Sequence, residues 1–539
     1  MIRRLIDPIS RVVRRYFLGI LLVGGVAMLG ASIFGVRPPV GGAHYVEAVI
    51  GPPVRVHPLA RHVNDAEDDL AALVFSGLMR IGPDGKPMPD LARSWEVTAD
   101  TLTYTFHLRT GLAWHDGAPF SAADVQFTIE RIQAPDFDGA PGLAAAWSGV
   151  QVFVADPATV LIRTPEPAAD LLARAAIGLL PAHLEAEMAA GSGFDIAPFD
   201  RRPVGTGPFR LHSLDDRHAL LERHAGFALD APAIATVELR FVQDADAQVA
   251  ALRAREADAA LLGERVAAGE AAMLQRRLDL TETPLTRNGY TALYMNNVSA
   301  PLNETTLRRA LAASIDRAAV LAAGGIRGTP DEDVIPPGSW LIETPDAEPA
   351  ADIEALWDAS AWERDGNGNR ARDGVALSLE LVTNADLARE AMAQAIATQL
   401  DERGVEVAVV TMPASRVIAD RLQTGAFQLA LFGWDAPADP DPYPGWHTSQ
   451  SGGTGGNVAG FNDPEADALM EAARTTLDVG ERRRLYALFD ARFAEQAPAL
   501  VIGYPARAYV HPRHLEGAEF GLLVSSGSRF SDVFRWKLP

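Results

Sequence analysis

The chain has 539 residues, 48% of them hydrophobic and 22% charged. These are globular proportions and exclude a disordered chain, a collagen-like fibre and a polytopic membrane protein. Cysteine is absent, which removes disulfides, thiolate metal sites, cysteine nucleophiles and a lipid-modified N-terminal cysteine. Basic residues number 48 against 70 acidic, a net charge of -22 that repels phosphate backbones and argues against nucleic acid as a partner.

At the N-terminus, Arg3, Arg4, Arg11, Arg14 and Arg15 precede an uncharged apolar run from Tyr16 to Val36. As a helix this run would extend about 31 Å, enough to cross a bilayer. Leading arginines favour a cytoplasmic N-terminus, with the rest of the chain outside. No clean small-x-small cleavage site follows, so an uncleaved anchor to the inner membrane is expected. A cleaved signal is the alternative, including a twin-arginine signal around Arg14-Arg15-Tyr16-Phe17-Leu18.

One core rarely grows past about 250–300 residues, so the body is expected to form two or three lobes. Its pattern reads as mixed α and β. Tyr45 to Ile50 is a strand, and Asp65 to Met79 has helical spacing through Leu70, Leu73, Val74 and Leu78. Thr101 to Leu108 alternates as a half-buried strand. Ser121 caps a helix running to Ile132. Val150 to Val154 and Thr159 to Arg163 form a hairpin around Asp156-Pro157. A strand follows at Val237 to Val242, with helices at Ala245 to Arg255 and Thr305 to Ala323. Leu377 to Thr383, a helix from Asp386 to Arg403, and Val405 to Val410 form a βαβ unit. Phe427 to Phe432 is a strand, and Pro464 to Ala473 and Gly480 to Gln496 are helices.

Motifs for chemistry are mostly missing. Neither lysine, Lys86 nor Lys537, sits in a P-loop, and Gly452-Gly453-Thr454-Gly455-Gly456 follows no strand and opens no helix. His183 and Glu187 could share a helix face, but two ligands do not make a zinc site, and they read as a surface pair. Asp365-Gly366-Asn367-Gly368-Asn369 imitates a calcium loop, yet Arg370 stands where glycine is needed and Ala376 where glutamate is needed; a turn is expected. No Gly-x-Ser-x-Gly elbow occurs. No catalytic residue, metal or cofactor is assigned, and an extracytoplasmic hydrolase is a remote alternative.

One segment reads as a recognition surface. Gly433 to His447 holds three acids, four prolines and three large aromatics, and is too proline-rich for a helix or a central strand. Prolines lower the entropy of ordering a loop, and a carboxylate beside aromatic walls suits an ammonium group. A rigid hinge whose tryptophans fill the core is the competing reading. The candidate ligand residues are Asp439, Trp434, Asp435, Asp441, Tyr443 and Trp446.

Longer motifs carry a resemblance. Pro89-Asp90-Leu91-Ala92-Arg93-Ser94-Trp95-Glu96-Val97 is followed by Leu102 to Arg109 and by Trp114-His115-Asp116-Gly117-Ala118-Pro119-Phe120-Ser121-Ala122-Ala123-Asp124-Val125. With Gly205-Thr206-Gly207-Pro208-Phe209, Pro301-Leu302-Asn303 to Arg317, and Phe461-Asn462-Asp463-Pro464, these resemble the extracytoplasmic solute-binding proteins of ABC importers, in the oligopeptide, dipeptide and nickel-binding family. The resemblance implies an α/β, periplasmic-binding-protein-like fold of class II: two hinged lobes plus an extra subdomain, here preceded by the N-terminal helix. It divides the chain into anchor (1–37), lobe I (38–75, 205–285 and 500–539), subdomain (76–204) and lobe II (286–499). In peptide-binding members, an aspartate in a Gly-Trp-x-Ala-Asp-Tyr-like segment holds the peptide's ammonium. Here Gly433 and Trp434 match, but Ala438-Asp439 lies two residues further along and Pro440 replaces the aromatic. Asp439 is the first choice for that role, with Asp435 and Asp441 as alternatives. The implied function is a membrane-tethered, monomeric binding protein that delivers peptides to an ABC permease. The alternatives are the same fold with a nickel chelate, an oligosaccharide or an opine-like solute, or a ligand sensor.

Overall fold

The computed structural model describes residues 42–185, 197–264, 279–342, 352–453 and 455–539. The expected membrane helix therefore lies outside the described residues. Among the described residues, no helix is long and apolar enough to cross a membrane.

A mixed twelve-stranded sheet organises the body. Its main path runs Glu406–Met412, Ser378–Asn384, Leu429–Asp435, Gly289–Met295, Ala499–Pro512, Ala259–Leu262, Ala43–Ile50, Ile234–Val242, His218–Arg223 and Phe209–Leu214. The long strand Ala499–Pro512 joins the two halves. Its start pairs antiparallel with Gly289–Met295, and its end with Ala259–Leu262 and with Leu280–Thr286. The register shifts where Thr291 pairs with Gly503, the point at which the strand passes between halves. Gly503 has φ +148°, and a Cβ there would lie 2.4 Å from the Thr329 carbonyl oxygen, so glycine is required.

Alternation along the strands builds a core on each face. In the first half, Tyr45 and Val49 meet Leu70, Leu73, Val237 and Trp536 on one side. On the other side, Val46 and Ala48 meet Leu252, Leu262 and Val510. In the second half, Leu293, Leu381 and Leu431 pack against Ile396 and Leu400, while Tyr290 and Ala292 face Trp446, Phe489 and Phe493. A separate antiparallel sheet, Ala92–Val97, Thr103–Leu108, Thr159–Arg163 and Gln151–Asp156, covers a third core with Trp114, Trp147 and the helix Ala122–Ile132. Ser121 and Asp124 form the expected capping box of that helix.

Several expectations are corrected. The helix read as Asp65 to Met79 is Asp65–Val74, because Gly207 N–H takes the Val74 carbonyl at 2.9 Å and the chain turns extended at Phe75. Gly205 makes this crossing possible, since a Cβ there would lie 1.9 Å from Val74 O. The helix read as Thr305 to Ala323 is two, Thr305–Ala313 and Arg317–Ala323. The Ser314 hydroxyl bonds back to Ala310 O, and Asp316 caps the restart by accepting from Ala319 N. The strand read as Phe427 to Phe432 is Leu429–Asp435, so Gly433, Trp434 and Asp435 lie within the sheet rather than after it. His183 pairs with Asp116 at 2.7 Å, and the expected surface pair with Glu187 falls on a residue outside those described.

Candidate ligand-binding cleft

A cleft of about 700 Å³ opens between the two halves of the sheet. Asp65, Asp68, Arg507 and the turn at Ser525–Ser526 line it from one half, and Ile326, Asp386, Ala388 and Asp435 from the other. Gly263, Glu264, Arg287 and Asn288 line it where the chain passes between halves.

The wall on the first side is held by buried charge. Arg529 donates to Glu47 Oε1 and to both oxygens of Asp69 at 2.6–2.9 Å, with all three side chains essentially unexposed. This triad fixes the C-terminal segment, and so Ser526, against the strand Ala43–Ile50 and the helix Asp65–Val74. Arg507 forms a bidentate pair with Asp65 at 3.0 and 2.6 Å. Burial pushes the Asp65 carboxyl up, but the bonds and charge of Arg507 more than offset it, and the net direction is down.

Across the cleft, Arg287 donates to Glu264 Oε1 at 3.0 Å and to Asp435 Oδ1 at 2.7 Å. Asp435 keeps a side chain 78% exposed. Burial pulls the Arg287 guanidinium down, but Asp435 and Glu264 outweigh it and hold it above its ordinary value. Among the described residues the lining thus carries five carboxylates, Asp65, Asp68, Glu264, Asp386 and Asp435, against two guanidiniums, Arg287 and Arg507. Such a surface favours cationic groups.

Asp386 caps the helix Leu387–Glu402, accepting from Ala388 N and Arg389 N. One turn in, Arg389 lies over the Phe432 ring, with its Nη1 buried and without a hydrogen-bond partner. Burial lowers its basicity, while Glu264 and Asp386 pull the other way.

The six candidate residues from the sequence fall into different environments. Asp435 lines the cleft. Asp439 does not: it is 3% exposed, and Arg482 donates to both its oxygens at 2.9 and 2.7 Å. Burial depresses Arg482, but the Asp439 charge overcomes it and holds the guanidinium well above its usual value, which marks a closed ion pair. The first-choice ammonium partner is therefore already occupied. Asp441 is buried beside Arg474 at 3.0 Å, and burial pushes its carboxyl up to about 7. Tyr443 is sandwiched between His447, 4.0 Å away, and the Arg474 guanidinium, 4.1 Å away. Trp446 is fully buried and donates to the Tyr290 hydroxyl at 2.9 Å. Trp434 is half-buried against Gly445 and Gly456. Only Asp435 of the six reaches the cleft lining. The segment is also not free of regular structure, since Tyr443–Trp446 forms one helical turn started by Asp441 accepting from Tyr443 N.

The remaining cleft charges were not singled out from the sequence. Asp65, Asp68, Glu264, Arg287, Asp386 and Arg507 are scattered over the chain. Only Asp386, as the cap of a readable helix, left a local signal.

A two-part sheet joined by one long strand, with a charged cleft between the parts, is the architecture of a periplasmic-type solute-binding protein. The chain belongs to the bacterial extracellular solute-binding proteins, family 5, whose middle region matches residues 86–457. It is 28% identical over 446 residues to the dipeptide-binding protein of Escherichia coli (strain K12), covering 77% of this chain and 81% of that one. The HbpA2 structure from Haemophilus parasuis superposes with TM-score 0.80 at 18% identity, over 92% of this chain and all of that one. NikZ from Campylobacter jejuni, solved with Ni(L-His), superposes with TM-score 0.71 at 24% identity, over 92% of this chain and 99% of that one.

Proposed function

We propose that this protein captures short peptides in the cleft and delivers them, as a monomer tethered by its N-terminal helix, to an ABC permease in the same membrane. The observation that carries the reading is Asp435. It stands largely exposed on the cleft lining with only Oδ1 engaged by Arg287. An ammonium there gains a charge-assisted hydrogen bond of about 1.5–3 kcal/mol once closure excludes water. The excess of carboxylates in the lining supports a cationic ligand terminus. The related dipeptide-binding protein supports the peptide class.

Closure turns on the strand Ala499–Pro512 and the neighbouring residues 263–264 and 287–288, which lie where the halves meet. A ligand touching both halves stabilises the closed form by its differential contacts, and a permease reads that form. A tether keeps the loaded protein near its permease at raised effective concentration.

Native mass spectra of the full chain, followed by sequencing of what leaves on denaturation, test the reading. A ladder of bound masses resolving into short peptides is expected. A single non-peptide mass or a metal chelate overturns the ligand class and keeps the fold. Unchanged peptide uptake in cells lacking the protein overturns delivery and leaves a sensor.

A further inference from the structure

Beside the cleft lies a second cavity of about 220 Å³. Val524 and Ser525 line both spaces, so the two adjoin. The rings of Phe75, Phe227, Phe530 and Phe534 wall the second cavity, and its charged lining residues are Asp90 and Arg80.

Each of those two carries an atom without a partner. Asp90 is 5% exposed, and its Oδ1 is buried with no hydrogen bond. Arg80 donates through Nη1 to Asp532 Oδ1 at 2.8 Å and lies over the Phe534 ring, while its Nε is buried with no hydrogen bond. Native proteins seldom leave a buried donor and a buried acceptor unpaired in one place. Burial pushes the Asp90 carboxyl up to about 7, against the pull of Ser76, Arg80 and Arg109.

The two orphaned atoms have opposite hydrogen-bonding character, and this selects among ligand groups. An ammonium would satisfy Asp90 but meet the Arg80 charge, and a carboxylate would do the reverse. A hydrocarbon would seal both atoms away unpaired. A carboxamide carries a donor and an acceptor on two separate atoms, and its methylene stem suits the aromatic walls.

We propose that this cavity is a side-chain subsite of the cleft that takes an uncharged side chain ending in a carboxamide, whose N–H donates to Asp90 Oδ1 and whose oxygen accepts from Arg80 Nε. The inference rests on the peptide reading of the cleft.

Calorimetric titration of the full chain with the tripeptides Ala-X-Ala, where X is Gln, Glu, Lys or Leu, tests it. The Gln peptide is expected to bind roughly tenfold tighter than the other three, because a site built to pair polar groups rejects analogues that lack them. Asp90→Ala should erase the preference and leave the Leu peptide unchanged. Ser531→Phe, which fills the cavity from its lining without removing a buried charge, should do the same. Tripeptides that bind with no preference for Gln overturn the subsite and leave the peptide reading standing. Saturation-transfer NMR with butanamide gives a readout independent of peptides. A signal in the wild type that Ser531→Phe abolishes supports the subsite even where no tripeptide binds, a result that would sink the peptide reading alone. No butanamide signal together with no Gln preference overturns the subsite.

Discussion

Asp439 and Arg482 face each other as a closed bidentate pair: Arg482 Nη1 and Nη2 reach Asp439 Oδ2 and Oδ1 at 2.9 and 2.7 Å, and Tyr486 takes a further hydrogen bond from Nη2 at 3.0 Å. Both side chains are almost wholly buried. The pair pins the proline-rich segment to the helix Val479–Gln496 a few residues after Asp435 leaves the sheet. Its work is to hold the segment in place.

Asp439→Ala should therefore act on stability first. Removing one partner of a buried pair leaves the other charge uncompensated and costs about 3–5 kcal/mol. Urea unfolding should show that loss, and free-amine and N-acetylated peptides should weaken in equal measure. The double replacement Asp439→Leu with Arg482→Met should recover much of the stability, because no lone charge remains buried.

Asp435→Ala should do the opposite. The side chain is largely exposed, so the urea midpoint should barely move. Affinity for free-amine peptides should fall roughly 10- to 100-fold, the size of one charge-assisted hydrogen bond. N-acetylated peptides should lose little. Equal loss for both peptide types would remove Asp435 from the ammonium site.

Gly503→Ala tests the crossing point of the sheet. The positive φ and the 2.4 Å approach to Thr329 O both oppose a side chain. A penalty of about 1–3 kcal/mol is expected from the backbone conformation alone. Chemical denaturation measures it. A variant as stable as the wild type would show that the crossing accepts a side chain at this position and does not require glycine.

Asp90 predicts a pH dependence. Burial lifts its folded value to about 7 from the ordinary 3.8. Between those values the folded state keeps a proton that the unfolded state has released, so stability from this group is present at acid pH and lost as pH rises toward 7. Asp90→Asn removes the titration and should gain on the wild type by about 1–3 kcal/mol between roughly pH 5 and pH 8. His57 and His115 are pushed down to about 3 by burial. They act with the other sign, losing stability as pH falls below about 6.5, and cancel in the comparison because both proteins carry them. Thermal melts over that range check the difference, and parallel curves would reject the assignment.

Local chemistry made much of the scaffold readable. The Ser121 cap, the βαβ unit around the helix Leu387–Glu402 and the hairpin at Asp156-Pro157 depend on residues a few positions apart, and each stands close to where the spacing put it. Two of the misread boundaries share one cause, a partner distant in sequence, while the split at Ser314 is made by local bonds to Ala310 and from Ala319. Gly207 ends the helix Asp65–Val74 by donating to the Val74 carbonyl, and Gly289–Met295 draws Gly433 to Asp435 into the sheet.

The sequence by itself determined the mixed α/β class, the family motifs and a segment rich in acids and aromatics. Tertiary structure decided what each acid in that segment does, because Asp435, Asp439 and Asp441 are chemically alike and differ only in what the fold sets beside them. Arg482, on another element, closes over Asp439, and Arg474 covers Asp441. Arg287 engages Asp435 on the cleft and leaves it exposed. The same holds for Asp90 and Arg80. Their unpaired atoms arise from burial, which composition and spacing do not encode. A carboxylate's role is set by its dielectric surroundings and its nearest charge, and both are properties of the folded chain.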